Sequence, residues 1–237
     1  MIYLRSLSFY ILYLLSGLLA GLAGCLIGPF LNINNRIKFL SAWPRFTNWA
    51  LYKSCEIEVV IEGSENIPNA PFVIASNHQG QWETFFYQYF FFPMTTLLKR
   101  ELLFIPVWGW ALALLRPIAI NRGNPTVALK TALREGEKRI KKGFSVLNFP
   151  EGTRKDPGEI GRYARSGFEL AKKMQVPVLP IVHNSGDCWP AHRFLKFPGK
   201  INLTIGAPVE NIESSAEAAK EMEEWARQKL ELIKLKN

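Results

Sequence analysis

Two short apolar runs, each breaking abruptly into polar residues, constrain this chain most. The first, Phe72 to Ser76, follows Pro71 and has the length and composition of a buried strand. It opens into Asn77 and His78, then Trp82 and Glu83, before an aromatic run from Phe85 to Phe92 that suits a helix. The second, Ser145 to Phe149, runs straight into Pro150-Glu-Gly-Thr-Arg154. Further strand-like and helix-like stretches alternate around them. That order predicts an α/β fold, a mixed sheet flanked by helices. It also puts both polar segments at strand exits, where such sheets gather ligands.

The spacing of His78 and Glu83 carries chemistry. A five-residue step along one helix rotates about 140°, so the two cannot share a helix face. They meet only if His78 lies in the loop and Glu83 in the first helical turn, folded back, where the helix N-terminus favours a carboxylate. Glu83 then accepts a hydrogen bond from one ring nitrogen and leaves the other free as a general base. An incidental structural pair would use the same two residues. In the second segment, Gly152 lets backbone approach a ligand closely. The Thr153 hydroxyl and the Arg154 fork suit a phosphate. A polar turn with a surface arginine is the plain alternative.

Together the two segments resemble the glycerolipid acyltransferase family, the one containing the 1-acyl-glycerol-3-phosphate (lysophosphatidic acid) acyltransferases. The first family motif, Asn-His, four residues, then an acid, stands here as Asn77-His78-Gln-Gly-Gln-Trp-Glu83. The phosphate motif, Phe-Pro-Glu-Gly-Thr-Arg, is unchanged from Phe149 to Arg154. The acid is usually Asp, so Glu83 departs from the pattern; a bacterial subgroup with Gln-x-x-Trp-Glu-Thr is similar to this chain. The resemblance covers roughly residues 55 to 210. It implies a glycerol-3-phosphate acyltransferase-like fold, catalysis by His78 and Glu83, and a phosphate held by Glu151, Gly152, Thr153 and Arg154. Two more cations join them by the same resemblance: Lys99, from a Lys-x-Glu-Leu-like element, and Arg122, from a strand-to-Arg-Gly element. An isolated Lys or Arg is otherwise usually a solvated surface charge. Arg165 stands where the family often has a lysine. Val176 to Val182 resembles the last family motif and reads as structural, and His183 after it as a hydrogen-bonded structural histidine.

The implied reaction moves an acyl group from acyl-CoA or acyl-carrier protein to the free hydroxyl of lysophosphatidic acid, giving phosphatidic acid. Transfer is direct, because no cysteine or serine is placed as a nucleophile. The reaction calls for no cofactor, and no further histidine is spaced to complete a metal site. Another lysophospholipid, glycerol-3-phosphate or an ornithine lipid are alternative acceptors. A catalytically silent membrane lipid-binding protein is the alternative of another class.

The N-terminus adds a membrane. Ser8 to Leu31 contains no charged residue, and about 20 such residues cross a bilayer core. Gly17, Gly21, Gly24 and Gly28 fall near one stripe and allow close helix contact. Leu22-Ala-Gly-Cys25 looks like a lipoprotein processing box, but the apolar run continues past it, against cleavage. Residues 38 to 53 read as an interfacial helix, with Trp43 and Trp49 among basic residues and Pro44 forcing a kink or a new start. We therefore divide the chain into a membrane anchor, 1–54, outside an acyltransferase domain, 55–237. Only Arg5 and the amino terminus precede the apolar run, and Arg36, Lys38, Arg45 and Lys53 follow it. This pattern sets the domain on the cytoplasmic side, of a bacterial inner membrane by the bacterial look of the first motif. A net charge of +9 fits an anionic membrane surface and anionic substrates, and no nucleic-acid motif is present. The cysteines, Cys25, Cys55 and Cys188, show no disulfide spacing, as in a reducing compartment.

Overall fold

The computed structural model describes every residue except Ala70, Arg122 and Asn237. Seven strands form its centre: β1 (Ile57–Glu62), β2 (Val73–Ser76), β3 (Met94–Lys99), β4 (Ile118–Ile120), β5 (Ser145–Asn148), β6 (Val178–His183) and β7 (Gly199–Ile205). They form one sheet in the order β1-β7-β6-β2-β5-β3-β4. All neighbours are parallel except β6 and β7, so the sheet is mixed, as the alternation of elements predicts. Strands β2, β5 and β6 are buried along their whole length, which explains why they read as continuous apolar runs. Strand β1, at the sheet edge, alternates buried and more exposed positions.

Nine helices complete the described fold: α1 (Ile2–Ile27), α2 (Ile33–Leu40), α3 (Ala42–Cys55), α4 (Trp82–Phe90), α5 (Trp108–Leu114), α6 (Pro125–Ile140), α7 (Ser166–Met174), α8 (Ser185–Cys188) and α9 (Ser215–Lys236). Local sequence explains several ends. Asn124 Oδ1 accepts the Val127 N–H at 3.1 Å and caps α6, with Pro125 at its first position. Pro44 lies in the first turn of α3, where its missing N–H costs nothing, so it starts a new helix after Ser41. Ser214 Oγ accepts the Glu217 N–H and begins α9.

The sheet separates two cores. One packs α6, α7 and α9 against Val73, Ala75, Val146, Val178 and Val182. The other packs α1, α3 and α4 against Ile74, Leu147, Leu179 and Ile181. Phe9 and Tyr13 of α1 belong to this second core together with Trp82 and Trp189. The division at residue 54 is therefore not a division of the core: α1 and α3 pack into it beside α4. The glycine stripe makes this possible. A Cβ on Gly17 would lie 2.9 Å from the Trp108 ring and 3.0 Å from that of Trp43. One on Gly24 would lie 2.6 Å from Leu40. Helix α1 is pinned at its start by Arg5, which pairs with both oxygens of Glu56 at 2.6 Å. Nearby, the buried Lys196 ammonium donates to the Arg193 and Phe194 carbonyls and lies over the Tyr10 and Trp189 rings. Burial pulls its pKa down to about 8.

The other side of α1 exposes Leu4, Leu15, Leu19 and Leu26. From Ile2 to Phe30 the chain is long and apolar enough to cross a membrane by length and composition. The exposed side chains of Phe104 and Trp110 extend this apolar surface, and on α3 Trp49 is exposed while Trp43 turns inward. Exposed apolar side chains in this number suit association with a membrane.

Candidate active site

Because β2, β5, β3 and β6 run parallel, their C-terminal ends open on one edge of the sheet. There the loop after β2 carries Asn77 and His78 and turns into α4. Glu83, in the first turn of α4, folds back onto His78, with Oε1 2.7 Å from Nδ1. The same oxygen accepts the backbone N–H groups of Gln79 at 2.9 Å and Gly80 at 2.8 Å. Its partner Oε2 accepts the Ser185 hydroxyl at 3.0 Å. With two backbone N–H groups and the Ser185 hydroxyl already donating to it, the carboxyl acts as an acceptor, so Nδ1 carries its proton toward Glu83 and Nε2 points away from it. Complete burial alone would raise the Glu83 pKa. The His78 hydrogen bond, the neighbouring imidazoles and the Gly80 N–H outweigh it and hold the group well below the usual carboxylate range. The His78 ring stacks on Phe149, with centroids 4.1 Å apart, and its side chain keeps 12% exposure to solvent.

The second motif meets the first through backbone. Glu151 Oε2 accepts the His78 N–H at 2.7 Å, and Oε1 accepts the Gly161 N–H at 2.7 Å. Burial raises the Glu151 pKa, opposed by those two hydrogen bonds. The Lys155 N–H donates to the His78 carbonyl at 2.8 Å. Both peptide groups of His78 are thus held by the Pro150–Lys155 turn. This turn needs Gly152, which sits at φ +69°. The family pattern puts Glu151 at the phosphate; in the fold it also reaches the His78 backbone. Both of its oxygens are taken by backbone donors.

The remaining expected residues lie around this frame. Gly152 and Thr153 are exposed on the turn, and Arg154 is half-buried with an unpartnered buried Nε. Lys99 ends β3, two strands from β2 and about 10 Å away across the sheet, and is exposed. Arg122 lies outside the described residues. His183 is structural: its Nε2 donates to the Asn77 carbonyl at 3.1 Å, and its Nδ1 accepts the Ser185 N–H at 3.2 Å. Burial lowers its pKa, as suits a neutral ring. Asn77 in turn exchanges two hydrogen bonds with the His183 backbone. Ser185 was missed by sequence reasoning. It is 102 positions from Glu83, on a four-residue helix that no periodicity announces. Among the described residues no cluster of His, Cys, Asp or Glu is grouped to hold a metal ion.

A buried acid bonded to a solvent-reached imidazole at the exit of a central strand is an arrangement able to serve acid–base chemistry. The family model described as Acyltransferase matches residues 58–184, more than half of the chain. The chain belongs to that family and is an acyltransferase. It is 43% identical to the 1-acyl-sn-glycerol-3-phosphate acyltransferase of Pseudomonas aeruginosa over 94% of its own length and 88% of that protein. It is 31% identical to the Saccharomyces cerevisiae protein of the same name, over 53% of this chain and 43% of that one. Among solved structures it resembles the crystal structure of the 1-acyl-sn-glycerophosphate acyltransferase PlsC from Thermotoga maritima. The TM-score is 0.81 at 27% identity, over 98% of this chain and 96% of that one.

Proposed function

We propose that this acyltransferase acylates the free hydroxyl of 1-acyl-glycerol-3-phosphate, taking the acyl group from acyl-CoA or acyl-carrier protein. The observation that carries the mechanism is the Glu83–His78 contact, which leaves Nε2 free to take a proton. The acceptor hydroxyl attacks the thioester carbonyl as Nε2 removes its proton. The tetrahedral intermediate then expels the thiolate, which takes the proton back from the imidazolium. An ester and a free thiol result. Glu83 stabilises the charged imidazolium between the two steps. Arg154 and Lys99, joined by Arg122 in the family pattern, hold the phosphate and keep the hydroxyl within reach of Nε2.

The substrate class rests on the relatives' names and on this cationic side of the site. The same names and the apolar face of α1 support a place in the membrane. We assign the site to the cytoplasmic side of a bacterial inner membrane, where thioester donors are found. A panel of acceptors tests the reading: lysophosphatidic acid, glycerol-3-phosphate, a lysophospholipid with a substituted phosphate and an ornithine lipid. Each is offered to the purified full chain in phospholipid vesicles with each donor. Phosphatidic acid formed from lysophosphatidic acid at the highest kcat/KM is the expected result. Equal or faster use of the ornithine lipid, which has no phosphate, overturns it.

A further inference from the structure

The Glu83 carboxyl is stretched between two structures. Its Oε1 belongs to the His78 loop, and its Oε2 reaches across to Ser185 Oγ at 3.0 Å, on the segment after β6. That segment is itself fastened to the same loop. The Ser185 N–H donates to His183 Nδ1, His183 Nε2 to the Asn77 carbonyl, and the Gly186 N–H to Gln79 Oε1 at 3.0 Å. The hydroxyl of Ser185 is therefore mounted on the loop it serves, and both Ser185 and Glu83 are fully buried. A carboxyl rotates easily about its last side-chain bond. Three donors on Oε1 oppose that rotation, and the Ser185 hydroxyl holds the opposite oxygen, so the plane of the carboxyl is fixed from both ends. A partnerless oxygen in a fully buried site also carries a desolvation cost that favours rotation or protonation.

We propose that Ser185 is a positioning residue for the acyl transfer: its hydroxyl fixes Glu83 Oε2 and thereby keeps Oε1 on His78 Nδ1. This rests on the reading of His78 as general base. The device belongs to glutamate. An aspartate at position 83 is one methylene shorter, and from the same backbone it is expected to keep one of these two partners rather than both. Ser185 is thus the partner that lets the longer acid do the same work.

The test is a double-mutant cycle on the full chain in vesicles, with lysophosphatidic acid and acyl-CoA. Ser185→Ala is expected to lower kcat about tenfold, the usual size for losing a hydrogen bond to a charged group, while KM moves less than about twofold. In the Glu83→Asp background the same Ser185→Ala change is expected to cost less than about twofold. Ser185→Thr keeps the donor and is expected to stay within about threefold of wild type.

Three results overturn the proposal: a wild-type kcat for Ser185→Ala, the same loss in the wild-type and Glu83→Asp backgrounds, or equal losses for the Ala and Thr variants. The first two read out function rather than folding, and the Thr variant covers the case where Ala is unstable. His78→Ala run alongside separates the two claims. If it retains turnover, the general-base reading falls; if it is inactive while Ser185→Ala is normal, only the role of Ser185 falls.

Discussion

On the His78 side of the site, Glu83 takes four donors and Glu151 two, and the His78 peptide groups are held at both N–H and carbonyl. On the Arg154 side, the exposed Lys99 makes no ion pair among the described residues, and the Arg154 Nε has no hydrogen-bond partner. The two sides obey different demands. Proton transfer is sensitive to fractions of an ångström, so its groups are fixed before substrate arrives. A phosphate on a lipid headgroup is met by charge, which tolerates displacement and is best left unspent on internal partners. Under the proposed mechanism, position is built into the buried side and affinity into the open one.

The largest effect should break the fixed side. His78→Ala removes the proton acceptor while leaving Phe149 and the turn in place, and should lower turnover by about a thousandfold or more with folding intact. Activity near wild type, in a protein with an unchanged melting midpoint, would refute the general-base role. Next comes the support. Glu151→Gln keeps one acceptor oxygen and replaces the other with a donor that faces a backbone N–H. We expect kcat to fall about 10- to 100-fold and the melting midpoint to drop by several degrees, since a buried charged hydrogen bond is lost. If only KM for the phosphorylated acceptor moved, Glu151 would belong to the phosphate side after all.

The open side should answer differently. Arg154→Ala should raise KM for lysophosphatidic acid about tenfold or more and change kcat less, with little change in stability. Loss of kcat alone, equal for phosphorylated and unphosphorylated acceptors, would dissolve the contrast between the two sides.

The sequence revealed the two sides unequally. His78 and Glu83 are five residues apart, and the loop-then-helix geometry follows from that step alone. The strands β2 and β5 were legible because burial on both faces makes them short apolar runs, and the glycine stripe of α1 because its period is helical. What stayed hidden depends on contacts between distant segments. Nothing in Pro150–Arg154 shows that Glu151 accepts the His78 N–H. Ser185 carries no local signal. The packing of Phe9 and Tyr13 into the sheet's core was masked by their place in a run apolar enough for a membrane. Hydropathy reports that a helix avoids water, and both a protein core and a lipid tail satisfy it.

The smallest effect separates the sides by pH. The Glu83 pKa is depressed in the fold, so its stabilising contribution is complete above the unfolded value of about 4.3 and is lost as pH falls toward the folded value. Glu151 has the opposite sign: its pKa is raised, so the fold gains from it as acid protonates it, and it partly conceals the Glu83 slope. Comparison with Glu83→Gln removes that interference, because Glu151 is present in both proteins. The difference in melting midpoint between wild type and Glu83→Gln should stay constant above about pH 5 and shrink by a few degrees as pH falls below about 4. Arg154→Ala should show no such trend against wild type. A flat Glu83→Gln difference down to about pH 3 would mean that the carboxylate is not held as an ion by its four donors, and that the fixed side is no more fixed than the open one.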